Sequence, residues 1–400
     1  MKSQARLPFY LTMKYLQRGR KWTLFLILFL MSVAFVNLIF ISSLFNGIIE
    51  GTNNQIINTM TGNFYIAPKA GIEFITSKEK VLSDIRSIDG ITGVSAQTYV
   101  PAQLKYKEIS GSWQILAINP KNEAEVTDVS QKIITGAYLD EDDYDQILIG
   151  RQIAGGEGVE QNAFSFKGAK AGDKVNLITN GTAKEFTIKG VFQTKFLPSD
   201  ERAFITEKAL KNIMPPLDGK ASNITIKIND PKNEQAILSQ IRSKNVDGDI
   251  YTWREVAGLM KSVGESFTSI NILMTFVGIL IAAVTVFIVI YVDIVNKRKQ
   301  IGILRAIGIK PYIIISSYVI LSAVYSVIGV LIGSAVFYFI LVPYFGAHPF
   351  SLPICDATLV LSKTDYIARA EMIMWVSVIS GLIPSAIITR TKMLDAILGR

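Results

Sequence analysis

The chain has 400 residues, of which 50% are hydrophobic and only 18% are charged, and its 41 basic and 33 acidic side chains give a formal net charge of +8. This apolar surplus and charge deficit indicate a membrane protein, since soluble domains carry about 25% charged residues. Disorder, collagen and a disulfide scaffold are excluded by the many aliphatic residues, by 29 glycines without a three-residue period and by a single cysteine.

Four uncharged apolar runs are long enough to cross a bilayer, because about 20 helical residues span the ~30 Å hydrocarbon layer. The predicted spans are residues 22–45, 266–292, 312–342 and 372–389. The remaining segments are residues 1–21, 46–265, 293–311, 343–371 and 390–400. The first run is longer than the apolar part of a signal peptide and lacks a small-residue cleavage site, so we expect a retained helix.

Basic residues are distributed unevenly among these segments. Residues 1–21, 293–310 and 390–400 together carry a net charge of +12, whereas the rest of the chain carries −4, which accounts for the +8 of the whole. Lysine and arginine accumulate on the cytoplasmic side of membrane proteins. We therefore predict a multi-pass membrane protein with both termini and the central loop in the cytoplasm; the family resemblance described below implies the bacterial inner (plasma) membrane. The basic excess then does not indicate nucleic-acid binding.

The outer segment, residues 46–265, has the composition of a soluble domain and is long enough to bury its own core. Alternating apolar residues predict strands at 63–67, 94–100, 113–118, 146–150, 172–177, 184–192, 223–228 and 249–253. Helical periodicity predicts helices at 77–89, 207–213 and 232–243. Asn180 and Gly181 predict a hairpin turn. The expected fold is an α-helical membrane protein with four transmembrane helices and a large extracytoplasmic α+β domain, an α/β lobe with an inserted β-rich lobe.

Residues for catalysis or metal binding are scarce in the sequence. There is no G-x-x-x-x-G-K-[ST] motif, and His348 and Cys355 are the only histidine and cysteine. His348 is more typical of a loop residue than of a proton relay. The acidic run at 140–145 lacks the spacing and glycine of an EF-hand and is more typical of a solvated turn than of a calcium site. We therefore predict no cofactor, no metal, no catalytic residue and no enzymatic activity of its own.

The central loop carries the most informative motif, KRKQIGILRAIGIK at residues 297–310. Its spacing predicts a short amphipathic helix, with Lys299 and Arg305 on other faces and with an end at Gly308 and Pro311. The predicted apolar face consists of Ile303, Leu304 and Ile307. An ordinary basic loop at the membrane interface would explain the composition of this segment equally well.

This loop resembles the R-E-I-G-I-L-[RK]-A-[IL]-G signature of the MacB-like family of ABC transporter permeases, which includes the LolC and LolE lipoprotein-releasing subunits and, more distantly, FtsX. Other segments resemble the entry helix, the β-lobe motifs and the closing motifs of that family: residues 9–21, 147–154, 172–175, 381–386 and 395–397. Two positions depart from the family pattern, since Gln300 replaces a glutamate and Met393 replaces a proline. The order of these motifs, together with four spans, makes the resemblance specific.

The resemblance implies that the loop helix couples the permease to a separate cytoplasmic ABC ATPase. The residues expected to make this contact are Arg298, Lys299, Ile303, Leu304, Arg305, Ala306, Ile307 and Gly308. Within this set, the three aliphatic side chains would form the docking face and Arg305 a polar contact. The resemblance also implies a second permease copy or paralogue, membrane lipids as surroundings, and possible periplasmic or outer-membrane partners. Nucleic acid is not an expected partner.

In this family, ATP-driven motion would export or extract an amphiphilic cargo such as a lipoprotein, a peptide or a lipid-like molecule. The alternative is an FtsX-like signalling or scaffold subunit that activates a periplasmic partner without moving cargo. The 220-residue outer segment favours the MacB and LolC/LolE branch, because FtsX-like proteins have a much smaller outer domain. A membrane enzyme would need a catalytic set that the sequence does not show.

Overall fold

The structure is a computed structural model that describes residues 2–18, 21–159, 162–179, 181–244, 246–257 and 261–390. It divides into two compact units. The membrane unit comprises residues 1–49, 264–350 and 357–400, and the sheet unit comprises residues 50–263 and 351–356. The predicted turn at Asn180 and the tail residues 391–400, with Met393 and the closing motif at 395–397, lie outside the described residues.

The described residues form fourteen α-helices and fourteen strands. The helices are α1 (Lys2–Arg18), α2 (Lys21–Ile56), α3 (Lys78–Arg86), α4 (Pro120–Val126), α5 (Arg151–Ala154), α6 (Leu197–Asp200), α7 (Glu207–Ile213), α8 (Glu234–Ser243), α9 (Trp253–Ala257), α10 (Lys261–Asn296), α11 (Arg298–Ala306), α12 (Pro311–Val336), α13 (Val342–Ala347) and α14 (Lys363–Arg390). The strands are β1 (Phe64–Ala67), β2 (Ile91–Val100), β3 (Gln103–Tyr106), β4 (Ile109–Gly111), β5 (Gln114–Ile118), β6 (Ile133–Gly136), β7 (Gln146–Gly150), β8 (Lys174–Thr179), β9 (Thr182–Phe192), β10 (Arg202–Thr206), β11 (Asn223–Ile228), β12 (Asp249–Thr252), β13 (Phe350–Ser351) and β14 (Asp356–Ala357).

Four helical segments among the described residues are long and apolar enough to cross a membrane, as the sequence predicts: Leu24–Thr61, Ser269–Asn296, Pro311–Ala347 and Lys363–Ile387. Several helices continue well beyond the predicted spans. Helix α2 runs through Ile56, eleven residues past the predicted end at 45, since polar residues such as Asn53 and Asn54 end an apolar run without ending the helix. Hydropathy therefore locates the membrane spans but underestimates the length of the helices that contain them.

Small residues allow two helices of the membrane unit to approach closely. A Cβ atom added at Gly329 of α12 would lie 2.7 Å from the Cβ of Met31 in α2, and one added at Gly333 would lie 3.1 Å from the carbonyl oxygen of Ser32. Side chains at these positions would force the two backbones apart, so the pair of glycines fixes the packing of α12 against α2. Gly329 and Gly333, four residues apart in the sequence, therefore lie at the contact between α12 and α2.

The sheet unit is built around one mixed sheet. Its strand order is β12-β1-β11-β2-β5-β10-β7-β9-β8-β3-β4, and β6 pairs with β9. Neighbours are antiparallel except for two parallel pairs, β5 with β10 and β7 with β9. The predicted α+β class is confirmed, and the two predicted lobes share this one sheet rather than forming separate sheets. Strand β10, which the sequence pattern did not reveal, lies between β5 and β7.

Each lobe has its own hydrophobic core. The α/β lobe packs α3 and α8 on β1, β2 and β11, with a core that includes Phe64, Ile85, Ile226 and Ile241. The β-rich lobe buries a second cluster, which includes Leu104, Phe166, Phe186 and Ile205. The core residues that lie in strands recur at every second position, as Phe64 and Ile66 do in β1. This is why alternating patterns in the sequence identified most of the strands.

A buried carboxylate organises the chain immediately before β10. Asp200 is only 3% exposed and accepts hydrogen bonds from the backbone N–H of Thr194 at 2.7 Å, from the Thr194 hydroxyl at 2.8 Å and from the backbone N–H of Lys195 at 3.2 Å. These bonds favour the ionised form, but burial has the larger effect and raises the pKa of Asp200 to about 6. Asp200 therefore takes up a proton closer to neutral pH than an exposed aspartate does.

We predict that replacing Gly329 by valine destabilises the membrane unit. Valine would overpack the contact with Met31, at a cost of about 1–3 kcal/mol. The melting temperature of the full chain in detergent should fall by several degrees. The matched control is Gly278→Val, because the nearest atom to a Cβ at Gly278 lies at an ordinary 3.5 Å. Equal melting temperatures for the two variants would contradict the close packing.

We also predict that Asp200 makes stability depend on pH. Its folded pKa, about 6, lies above the usual value of 3.8, so the folded chain keeps a proton that the unfolded chain has lost. Its stabilising contribution is therefore complete below about pH 4 and is lost as the pH rises through about 6. Melting curves between pH 4 and 7 should show this decline in the wild type and a smaller one in Asp200→Asn. A surface control, Asp89→Asn, should keep the wild-type slope; an unchanged slope in Asp200→Asn would refute the assignment.

Candidate coupling site

The predicted coupling segment forms helix α11, which lies between α10 and α12. Its last turn closes with hydrogen bonds from the N–H of Gly308 to the carbonyl of Arg305 and from the N–H of Ile309 to the carbonyl of Leu304, both at 3.1 Å. Gly308 has a φ of +91°, in the left-handed region that glycine adopts at little cost. Pro311 then begins α12. The helix is therefore a short, sharply bounded element between two long ones.

The faces of α11 differ in part from the sequence expectation. Ile301, which is 1% exposed, faces inward, and Leu304, one turn later, is half-buried and packs against the same cluster. Ile303 and Ile307 are 49% and 71% exposed. The expected grouping of Leu304 with these two on one docking face is therefore corrected, because residues 301 and 304 share the inward face.

The other predicted coupling residues lie at or near the exposed side of this segment. Lys299, Ala306 and Gly308 are exposed, and Arg298 and Arg305 are half-buried. Gln300, which departs from the family pattern, is also exposed. The structure thus brings two isoleucines, one alanine and several basic side chains together on one short helix.

An ion pair joins α10 to α11. The Lys297 ammonium group donates a hydrogen bond to the Asp293 carboxylate at 2.8 Å, and Asp293 is buried. Lys297 also lies over the ring of Tyr15 from α1, with its Nζ 4.8 Å from the ring centroid. Tyr15 in turn stacks on Tyr318 of α12, with ring centroids 5.5 Å apart. We call these four residues the elbow; it links α1, α10 and α12 at the start of α11.

Sequence reasoning missed the elbow, although part of it was visible. An acid four residues before a lysine, as in Asp293 and Lys297, is the favourable order for a helical ion pair. The aromatic partners come from distant parts of the chain and have no local signal. Helix α1 is attached at a further point, where the Thr12 hydroxyl lies 2.9 Å from the carbonyl oxygens of both Ser317 and Pro8.

The acidic run at 140–145 is paired with lysines in the structure. Lys189 contacts Asp140 at 2.6 Å and Asp143 at 2.7 Å, and Lys208 contacts Asp142 at 2.9 Å. Among the residues that the structure describes, no group of three or more His, Cys, Asp or Glu side chains could hold a metal ion. The run therefore acts as a set of ion-pair partners on the sheet unit.

Two family models match the chain. Residues 24–244 match the MacB-like periplasmic core domain, and residues 272–393 match the FtsX-like permease C-terminal domain. The first match alone covers more than half of the chain. The second contains α11 and the helices that flank it.

Two curated proteins are similar to this chain. The ABC transporter permease YtrF of Bacillus subtilis is 25% identical over 243 residues, which cover 57% of this chain and 56% of YtrF. The lipoprotein-releasing system transmembrane protein LolC of Neisseria meningitidis is 25% identical over 294 residues, which cover 68% of this chain and 66% of LolC. The chain spans less than two thirds of the length of either relative.

Solved structures are also similar to part of the chain. The periplasmic region of MacB from Actinobacillus actinomycetemcomitans is 16% identical with a TM-score of 0.37, and the match covers 51% of this chain and 95% of that one. The extracellular domain of the noncanonic ABC-type transporter YknZ from Gram-positive bacteria is 14% identical with a TM-score of 0.34, covering 47% and 97%.

The family models account for both units of the structure. The periplasmic core domain contains every strand of the mixed sheet except β12, and the FtsX-like domain contains α11, α12 and α14. The resemblance seen in the sequence motifs is confirmed. The chain belongs to the MacB/LolC/FtsX-like family of ABC transporter permeases, which are inner-membrane proteins.

Proposed function

We propose that this chain is the permease subunit of a MacB/LolC-type ABC complex. In this proposal a separate cytoplasmic ATPase docks on α11, and its ATP-driven motion passes through the membrane helices to the outer domain, which exports or extracts an amphiphilic cargo. The names of the relatives YtrF and LolC support transport and lipoprotein release, respectively. The absence of a P-loop motif from the sequence supports a partner that supplies ATP hydrolysis.

The observation that carries this proposal is the division of α11 into an anchored face and an exposed face. Ile301 and Leu304 pack into the cluster of the membrane unit, while Ile303 and Ile307 are exposed at one-turn spacing. Full burial of an isoleucine contributes about 1.5–3 kcal/mol, so two of them supply a substantial part of a docking contact. A force applied to such a helix reaches α10 and α12 without first bending a flexible loop.

The charge distribution supports the orientation that docking requires. Residues 297–310 hold five basic side chains and no acidic one, which favours a cytoplasmic location for α11 and a negatively charged docking partner. Residues 1–21 are also strongly basic, and helix α1 within this segment packs against α12. We therefore propose cytoplasmic termini and an outer sheet unit.

A second permease copy is part of the proposal. Helix α10 is the least buried of the four candidate spans. Only 17% of its apolar 18-residue segment is buried within the chain, compared with 33–39% for the other three. Its exposed residues include Ile272, Leu273, Phe276 and Leu280. We propose that a second copy or a paralogue covers α10, with membrane lipids around the rest.

Aspartate substitutions at the exposed isoleucines should abolish docking. Ile303→Asp combined with Ile307→Asp places two charges in an apolar contact, so we expect at least a 100-fold loss of affinity for the ATPase that co-purifies with the wild type. The measurement is co-purification from detergent followed by titration. The control is Ile134→Asp, the same change at an exposed isoleucine of the sheet unit.

The same preparation separates transport from signalling. Release of a lipoprotein or peptide on ATP addition supports the proposal. ATP-dependent capture of an outer protein without release of any cargo would instead identify an FtsX-like scaffold. Undiminished ATPase binding by the double variant would refute α11 as the docking element.

The stability of the chain should depend on the buried ion pair of the elbow, Asp293 with Lys297. Removing one partner, by Asp293→Asn or Lys297→Gln, leaves an uncompensated buried group and should lower the free energy of unfolding by about 3–5 kcal/mol. The double variant should be less destabilised than the sum of the two. Denaturant unfolding in detergent measures this coupling. The exposed pair Lys174 and Glu185 is the control, since its removal should change stability by less than about 1 kcal/mol; additive effects at the elbow would contradict the pairing.

A further inference from the structure

The sheet unit contains a polar pocket that the proposed function does not use. Its volume is about 290 Å³, close to the lower limit for small-molecule sites. Six polar side chains from six strands line it: Tyr65, Gln97, Gln114, Arg202, Asn223 and Tyr251. The strands that carry them are consecutive in the sheet, from β12 to β10. The pocket is therefore lined by six adjacent strands of one sheet.

Arg202 gives the pocket its charge. The residue is only 8% exposed, and its Nε and Nη1 have no hydrogen-bond partner among the residues that the structure describes. Burial lowers the pKa of Arg202 to about 10, so the side chain is still protonated at neutral pH. A buried cation with unused donors is costly to maintain, and an anion held on those donors would offset the cost.

The neighbouring carboxylate does not fill this role. Glu123 attracts Arg202 electrostatically, but its own oxygens accept hydrogen bonds from the Ser95 hydroxyl at 2.6 Å and from the Gln97 amide at 2.9 Å. No carboxylate among the described residues lies within 4 Å of the Arg202 guanidinium. Arg202 therefore lines the pocket while two of its buried donor atoms, Nε and Nη1, have no partner among the described residues.

A second unpartnered atom indicates what else the ligand carries. The amide oxygen Oδ1 of Asn223 is buried and has no donor among the described residues. A ligand that fits must therefore present an anion to Arg202 and an N–H or O–H donor to Asn223. A guanidinium binds a carboxylate through charge-assisted N–H donors, which matches the first requirement.

The charge of the pocket selects a monoanion. Arg202 is the one cationic residue in the lining, and Glu255 adds a negative charge among the same residues. The Glu255 carboxylate is held there by the Thr252 N–H at 2.6 Å and hydroxyl at 2.9 Å. A carboxylate brings one negative charge to the one cation, Arg202, whereas the second charge of a dianionic phosphate would have no positive partner in the lining. The rings of Tyr65 and Tyr251 supply flat apolar walls for the rest of the ligand.

We propose that this pocket binds the free C-terminal carboxylate of a short peptide, with the carboxylate on Arg202 and the adjoining peptide N–H donated to Asn223. The site stands independently of ATPase docking, because its residues and those of α11 belong to different units. It would give the outer domain a means to recognise a cleaved chain end.

The test uses the full chain in lipid nanodiscs with N-acetyl-alanyl-alanine as the probe. Its C-terminal amide and glycerol 3-phosphate are the comparison ligands. Calorimetry should show binding of the free acid at least tenfold tighter than binding of either comparison ligand. The Arg202 Nε–H resonance should shift when the acid is added. Tighter binding of glycerol 3-phosphate, equal binding of acid and amide, or no binding of the acid would each overturn the proposal.

Two variants locate the site. Arg202→Gln should lose at least tenfold in affinity for the acid, and the surface control Arg86→Gln should bind as the wild type does. If Arg202→Gln fails to fold, Asn223→Asp makes the same test, because it places a carboxylate inside the pocket as a built-in competitor for Arg202. Unchanged affinity in a folded variant of either kind would show that Arg202 only balances Glu123, and would refute the site.

Discussion

The contact between Asp293 and Lys297 determines how the membrane unit presents its exposed helix. A buried carboxylate is tolerated only with a partner. The partner here, Lys297, is the N-cap residue of α11. The same ammonium group lies on Tyr15, so the N-terminal helix is tied to the point where α10 gives way to α11. The contacts of the elbow thus connect α1, α10 and α12, and they fix the position at which α11 begins.

Much of the architecture follows from patterns in the sequence, and the failures have physical causes. Hydropathy located the four spans, but helices continue where polar residues replace apolar ones. Strand β10 was missed because five residues, all buried, stand between charged neighbours and show no alternation. On α11, apolar residues at 301, 303, 304 and 307 surround the axis, so periodicity alone could not show which of them pack inward. Tertiary contacts made that choice.

The polar pocket illustrates the same limit. In the sequence, Arg202 is one basic residue in a charged stretch. The polar residues that line the pocket with it come from five other strands. Only the sheet order places Gln97, Asn223 and Tyr65 beside it. Buried polar groups without partners reduce stability, because the low dielectric of the interior makes an unpaired polar group costly.

The single continuous sheet has a mechanical consequence. Two hydrophobic cores would behave as two bodies if a loop joined them, but here β2 contributes side chains to both cores and its backbone hydrogen bonds pair it with β5. Relative motion of the lobes would require breaking a ladder of such bonds at once. The continuous ladder from β12 to β4 therefore makes the sheet unit stiffer than two lobes joined by a flexible linker would be.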